Sequence, residues 1–267
     1  MVRMSEVSLI DFVEFAVQTA QEAGSEILQY FRGSIEVVDK GGPGRFDPVT
    51  QADRSAEELI RARIRARFPD HGILGEESGC EGAGRSLTWI IDPIDGTRAF
   101  MLGQLHWGTL LGLTEDGAPR VGVMHQPYVG ETFVGSALGA ELRTSRGSAR
   151  LRARRGTRLG EAVLCATDPG MFASPEERAA FERAAGAARA LRYGGDCYTP
   201  CLVAAGHADL VIEAQIKPWD ILPLIPIIEA AGGVVSDWSG APAGHASQIV
   251  VACDRSLHRE VLNVLNR

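Results

Sequence analysis

Two aspartates, Asp92 and Asp95, stand in the run Trp89-Ile-Ile-Asp-Pro-Ile-Asp-Gly-Thr97, which carries more chemistry than any other stretch of the chain. Trp89, Ile90 and Ile91 read as a buried strand. It is expected to end at Asp92, because Pro93 has no N–H with which to extend a ladder. Gly96 permits a tight turn, and Thr97 is placed to cap a new segment, Arg98-Ala-Phe-Met. One turn then gathers two carboxylates, an intervening backbone carbonyl and a hydroxyl, all hard oxygen ligands of the kind Mg2+ prefers. The N–H groups after the turn face the same place and suit a phosphate. The chemistry implied is metal-assisted attack on a phosphate ester. Two residues separate the aspartates, not the single residue of an Asp-x-Asp nucleophile motif, so no aspartyl-phosphate is expected. The plain alternative is a strand-ending turn, since Asp-Pro and Asp-Gly are common turn dipeptides.

Three other segments place acids beside turn or cap signals. Ile73-Leu-Gly-Glu76-Glu77 reads as a short strand ending in two carboxylates, of which the strand's alternation lets only one face a site. Lys217-Pro-Trp-Asp220 puts an acid before a helix, and Val49-Thr50-Gln-Ala-Asp53 spells a capping box; helix capping is the ordinary role of both aspartates. Gathered in one place without a positive charge, such carboxylates would repel and their pKa values would rise. A divalent metal removes that conflict.

The elements that must position these groups follow from apolar periodicity. Ser8 to Phe31 reads as an amphipathic helix, with Ser8 and Asp11 as its capping box and Arg32-Gly33 as its stop. A strand begins at Ile35, a loop follows at Gly41–Gly44, and a second helix runs from about Thr50 to Phe68. In that helix Ala52, Ala56, Leu59, Ile60 and Ile64 point inward and five Arg or Glu outward. From Trp107 to Leu142 the chain is strand-like: a hairpin through the Glu115–Pro119 turn, then a meander. Arg143 to Arg158 holds seven Arg in sixteen residues. It reads as a guarded sheet edge with Arg150, Arg152 and Arg154 outward and Leu151 and Ala153 inward, in preference to an anion patch. A sub-domain boundary is expected near Arg155–Gly160, dividing the chain into 1–155 and 156–267. Beyond it come a strand at Ala162, a helix from Pro175 to Ala190, a helix from Thr199 to Gly206, a strand from Ala208 to Glu213, a helix after Asp220 and closing strand–helix units. Neither a GxGxxG nor a Walker loop occurs among these alternating elements, which disfavours nucleotide-binding folds.

Composition sets the outer bounds. The 267 residues are 45% hydrophobic and 23% charged, as in an ordinary globular protein, with a net charge of −7 that argues against a general nucleic-acid binder. No apolar run approaches the ~20 residues of a membrane span. The N-terminus lacks the apolar core of a signal peptide, and five cysteines without metal-type pairs fit a reducing cytoplasm. Cys197 and Cys201 read as small core residues sharing a helix face.

In combination, the motifs VTxAD, GEES, DPIDGT and WD resemble those of the inositol-monophosphatase family of Mg2+-dependent sugar phosphatases, over nearly the whole chain. The resemblance implies an α/β fold, a layered α-β-α-β-α sandwich of the sugar-phosphatase type, and a homodimer. It implies that Glu76, Asp92, the carbonyl of Ile94, Asp95 and Asp220 ligate two or three Mg2+ ions per subunit, with Glu76 also serving catalysis. Thr97 and Asp53 would orient and deprotonate the attacking water, Gly96 would contact substrate, and Glu213 would meet a substrate hydroxyl. The partner implied is a small phosphorylated substrate, with no nucleic acid and no membrane.

The segments Gly96-Thr-Arg-Ala-Phe-Met, Val121-Gly-Val-Met-His-Gln-Pro-Tyr and Arg192-Tyr-Gly-Gly-Asp196-Cys-Tyr look like the histidinol-phosphate phosphatase branch. Asp196 aligns with a small residue in inositol phosphatases. A carboxylate beside the leaving group suits a cation, and Asp196 with Glu213 would pair with the ammonium and imidazole of L-histidinol phosphate. The alternatives are inositol-1-phosphate or another small sugar phosphate as substrate, a catalytically silent relative, and, for Asp196, a cap on the Thr199 helix.

Overall fold

The computed structural model describes residues 6–33, 37–39 and 48–267. Helix α1 (Glu6–Ile27) buries Phe12, Val13, Ala16, Ala20 and Ile27 along one stripe, as their helical spacing requires. It is already helical at Ser8, so Ser8 and Asp11 do not form the expected cap. The helix ends at Ile27, short of the expected Phe31, and turns carry the chain on to Arg32, which has φ 61. Strands β1 (Val37–Asp39) and β2 (Pro48–Thr50) pair antiparallel and lead into α2 (Gln51–Arg67). The loop expected at 41–44 lies outside the described residues. Thr50 and Asp53 do form the capping box of α2. Two charged residues of α2, Glu57 and Arg61, are buried, at 0% and 2% exposure, and leave five Arg or Glu facing outward.

An eight-stranded sheet follows: β3 (Gly72–Gly75), β4 (Gly79–Glu81), β5 (Leu87–Asp95), β6 (Gly108–Glu115), β7 (Ala118–Gln126), β8 (Glu131–Ser136), β9 (Gly139–Thr144) and β10 (Gly147–Arg150), with the short helix α3 (Thr97–Met101) after β5. The strand order is β10-β9-β8-β7-β6-β5-β3-β4, antiparallel except for β3 beside β5. β10 is the sheet edge expected of the arginine-rich segment, although strand pairing stops at Arg150. Trp89, Ile91, Leu111 and Val123 pack under α1 and α2, while Leu110, Met124 and Phe133 face the other way. That is the two-residue period of a sheet covered on both faces.

The second sheet has the order β12-β11-β13-β15-β14. Its elements are β11 (Val163–Ala166), α4 (Pro175–Ala187), β12 (Ala190–Tyr193), α5 (Tyr198–Ala204), β13 (Leu210–Ala214), α6 (Pro218–Ile221), α7 (Leu224–Ala230), β14 (Val234–Ser236), β15 (Gln248–Ala252) and α8 (Arg255–Leu265). The expected helix to Ala190 stops at Ala187, and the next residues form β12 instead. α5 and α7 fill the space between the sheets, and α4 packs with α8 outside, giving the α-β-α-β-α sandwich. α7 lies directly on the first sheet. An added Cβ would fall 1.8 Å from the Pro223 carbonyl oxygen at Gly122, and 2.3 Å from the Ile227 backbone at Gly135. Glycines at these paired positions therefore form a furrow for the segment that follows Asp220. Among the described residues no helix is long and apolar enough to cross a membrane.

Candidate metal centre and active site

β5 does not end at Asp92. It pairs with β6 at Asp92↔Leu110 and again at Asp95↔Gly108, so two residues of β5, Pro93 and Ile94, oppose the single Thr109. This is a β-bulge, and its extra residue re-aims the side chains beyond it. Thr109 fastens the bulge by donating its hydroxyl to the Pro93 carbonyl at 2.9 Å. The lack of an N–H at Pro93 is accommodated at the bulge, where proline is tolerated.

The consequence is a cluster. One carboxylate oxygen from each of Asp92, Asp95 and Asp220 lies within 4.8 Å of the others. Glu76, at the end of β3, lines the same cavity of about 270 Å3, together with Ile94, Gly96 and Thr97. Its backbone N–H is held by the Ile91 carbonyl at 3.2 Å. Asp220 is the third residue of α6 and accepts the Lys217 N–H at 2.9 Å, so it caps the helix and reaches the cluster at once. Asp95 accepts the Cys197 N–H at 2.6 Å. Cys197 precedes α5 as its N-cap residue and Cys201 lies within it; both are buried, in keeping with their reading as core residues.

Burial, and then repulsion from Glu76, Asp95, Asp220 and Asp53, pushes the Asp92 carboxyl well above the usual range. Asp220 is pushed up by burial and by Asp95. Asp95 rises less, because burial is offset by hydrogen bonds from Cys197. Asp92 is 1% exposed, and its Oδ1 has no hydrogen-bond partner among the described residues. A buried acceptor left unsatisfied costs about 1–3 kcal/mol. An orphaned carboxylate oxygen amid mutually repelling carboxylates fits a small hard divalent cation, and the donor set is all oxygen.

A second cavity of about 510 Å3 adjoins the first and shares Asp95, Arg98, Thr167, Asp196, Gln215 and Asp220 with it. Glu213 lines its wall, accepting the Thr167 hydroxyl at 2.6 Å. Burial raises Glu213 to about 7. Asp196 has φ 40 and is raised to about 8 by burial and by the charges of Asp95 and Glu213. The expected alternative for Asp196, a helix cap, is not its role: α5 has Cys197 as N-cap residue and no side-chain cap.

Two site residues are placed differently from the sequence reading. The N-cap of α3 is Gly96, with φ 86, and Thr97 is the first helical residue, donating its hydroxyl to the Ile94 carbonyl at 3.1 Å. Asp53 lines neither cavity. Its carboxylate accepts the Thr50 N–H at 2.8 Å and the Thr50 hydroxyl, and burial raises it to about 6. Its charge still acts on the cluster, as the least of the named causes of the Asp92 shift. Arg98, Thr167 and Gln215 were not singled out from the sequence. Thr167 follows β11 directly, so its place at the carboxyl end of a strand was the one available signal.

The family model for inositol monophosphatases matches residues 9–267. The chain belongs to that family. As a member it is a phosphoric monoester hydrolase of a metal-dependent kind. It is 34% identical to the chloroplastic bifunctional phosphatase IMPL2 of Arabidopsis thaliana, over 98% of this chain and 77% of that protein. It is also 34% identical to the histidinol-phosphatase of Chlorobaculum parvum, over 94% of this chain and 95% of that one. An inositol monophosphatase structure from Zymomonas mobilis superposes with a TM-score of 0.86 at 33% identity, covering 99% of this phosphatase and 100% of that chain.

Proposed function

We propose that this phosphatase hydrolyses L-histidinol phosphate to L-histidinol and phosphate, late in histidine biosynthesis, with Mg2+ at the acidic cluster. The observation that carries the reading is the pair Asp196 and Glu213. Both line the cavity beside the cluster, and neither belongs to the close triad of Asp92, Asp95 and Asp220. Two carboxyls pushed up by burial gain most from a cationic ligand, because a nearby positive charge restores their charged form. Histidinol phosphate offers an ammonium and an imidazole to that pair.

Glu76, Asp92, the Ile94 carbonyl, Asp95 and Asp220 hold two or three Mg2+ ions in this reading. Bound there, Mg2+ supplies charge neutralisation for the phosphate and the leaving oxygen and acidifies a water. Thr97 lines the cavity and orients that water through its hydroxyl. Asp53, raised to about 6 and lining neither cavity, would act as the base only through a group that does. Gly96, which lines the same cavity, would contact the substrate through its backbone. Residues 1–155 supply most of the metal ligands, and 156–267 supply Asp220 and the substrate contacts. Homodimerisation and a cytoplasmic location belong to the same reading; the five cysteines are free, as a reducing compartment would keep them.

A phosphate-release panel tests the proposal: histidinol phosphate, inositol-1-phosphate, fructose-1,6-bisphosphate and 3′-phosphoadenosine 5′-phosphate, each with Mg2+. Histidinol phosphate should give the highest kcat/KM. A clear preference for a neutral polyol phosphate would replace it as the substrate.

A further inference from the structure

A buried ion pair in α2 lines neither cavity, yet the partners its side chains have outside the pair all lie in the loop and strand that follow Glu76. Arg61 Nε donates to Glu57 Oε1 at 2.7 Å. Glu57 Oε2 accepts the Glu77 N–H at 2.8 Å, and Oε1 accepts the Ser78 N–H at 3.0 Å. Arg61 Nη2 donates to the Gly79 carbonyl, and Nη1 lies 3.5 Å from Glu81. Three consecutive residues, Glu77, Ser78 and Gly79, are thus gripped at their backbones, immediately after Glu76. The grip is close: a Cβ on Gly75 would fall 2.5 Å from Glu57 Oε1 and 2.9 Å from Arg61 Nη2.

Burying such a pair is a poor way to stabilise a fold, since apolar side chains of similar volume serve as well or better. What the pair does that apolar residues cannot is fix backbone donors and an acceptor in a loop. That loop joins β3 to β4, and Glu76 stands at its first position. On the other side Glu76 is fixed to β5 by its N–H bond to Ile91. We infer that Glu57 and Arg61 are positioning residues: they clamp the β3–β4 loop so that the Glu76 carboxylate is held against the Asp92–Asp95–Asp220 cluster, and so set the affinity for the divalent cation. The role rests on the metal reading above. Partners that orient metal ligands from behind typically change metal affinity 10–100-fold when removed.

The test is calorimetric titration of the EDTA-stripped protein with MgCl2, beside Glu57→Gln, Arg61→Lys and the double variant Glu57→Gln/Arg61→Met. Thermal melts in EDTA report the fold. The double variant leaves no lone buried charge and should melt close to the unaltered protein, with Mg2+ affinity reduced ~10-fold or more. The half-saturating Mg2+ concentration for phosphate release should rise in parallel, while KM for substrate at saturating Mg2+ holds. Arg61→Lys keeps the charge but not the fork, and should fall between. A folded double variant that binds Mg2+ as tightly as the unaltered protein overturns the inference. Loss of the fold in every variant also overturns it, assigning the pair to stability. Failure of the unaltered protein to bind Mg2+ overturns the metal reading itself, a result distinguishable from the other two.

Discussion

Asp92 and Asp95 bring their carboxylates to one place although an odd number of positions separates them along β5. In an unbroken strand, residues three apart point to opposite faces. The extra residue at Pro93–Ile94 cancels the mismatch, so the bulge is what makes two ligands from one strand.

Asp92→Asn should abolish nearly all turnover and leave the fold intact. Its Oδ1 is already without a partner, and the substitution removes a charge that its neighbours repel. The melting temperature in EDTA should hold or rise, while the increase produced by Mg2+ should disappear. Near-normal phosphate release from a folded Asp92→Asn protein would displace the metal centre from this cluster.

Thr97→Ala should lower kcat by ~10²-fold or more with KM nearly unchanged, because orienting a water acts on the transition state. Asp53→Asn should behave alike, with some added loss of stability because Asp53 also closes the capping box of α2. A raised KM with intact kcat would make Thr97 a substrate contact instead.

Asp196→Asn should weaken histidinol phosphate and spare a neutral polyol phosphate. A hydrogen bond to a charged group is worth ~1.5–3 kcal/mol, about a tenfold to hundredfold rise in KM. The measured quantity is the ratio of kcat/KM for the two substrates, in which any damage to the shared metal centre cancels. If neither Asp196→Asn nor Glu213→Gln moves that ratio, the two carboxyls are structural.

The stability of the protein should also carry the signature of a buried neutral histidine that lines neither cavity. Burial holds the His125 imidazole down at about 4, against an ordinary 6.5, while its Nδ1 lies 2.9 Å from the Thr132 hydroxyl. Between those values the unfolded chain binds a proton that the native protein does not. Stability is therefore full above pH 6.5 and is lost as the pH falls towards 4. Between pH 7 and pH 5 the loss from this group is about 2 kcal/mol. In EDTA, urea unfolding should show the stability advantage over His125→Gln narrowing by that amount. A constant gap would mean that His125 is charged in the native state.

Much of this site could be read from residue order, because turn and cap chemistry is local. Thr50-x-x-Asp53 is a capping box in the sequence and in the fold alike, and Asp220, expected as a helix-capping acid, accepts the Lys217 N–H at the start of α6. The bulge was not legible: a proline after an apolar run has the same appearance whether it ends a strand or kinks it, and only the partner strand β6 decides. The end of α4 was hidden too, since Ala184 to Ala190 keeps a helix-forming composition and β12 exists because β11 is there to pair with it. Glu57 and Arg61 look like two more surface charges of an amphipathic helix. What buries them is a loop some twenty residues away, which no periodicity reveals.

The furrow of glycines under α7 makes the thickness of the middle layer a tolerance on which the metal centre depends. Pro223 rests against Gly122 with no room for even one methyl group, and Asp220 stands three residues upstream in α6. The gap between Asp220 on one side and Asp92 with Asp95 on the other is thus gauged by a hydrogen atom on β7, two strands away from β5. Genetic lesions that silence this enzyme need not touch a ligand: any side chain at Gly122 would act as a shim, prising one jaw of the site from the other.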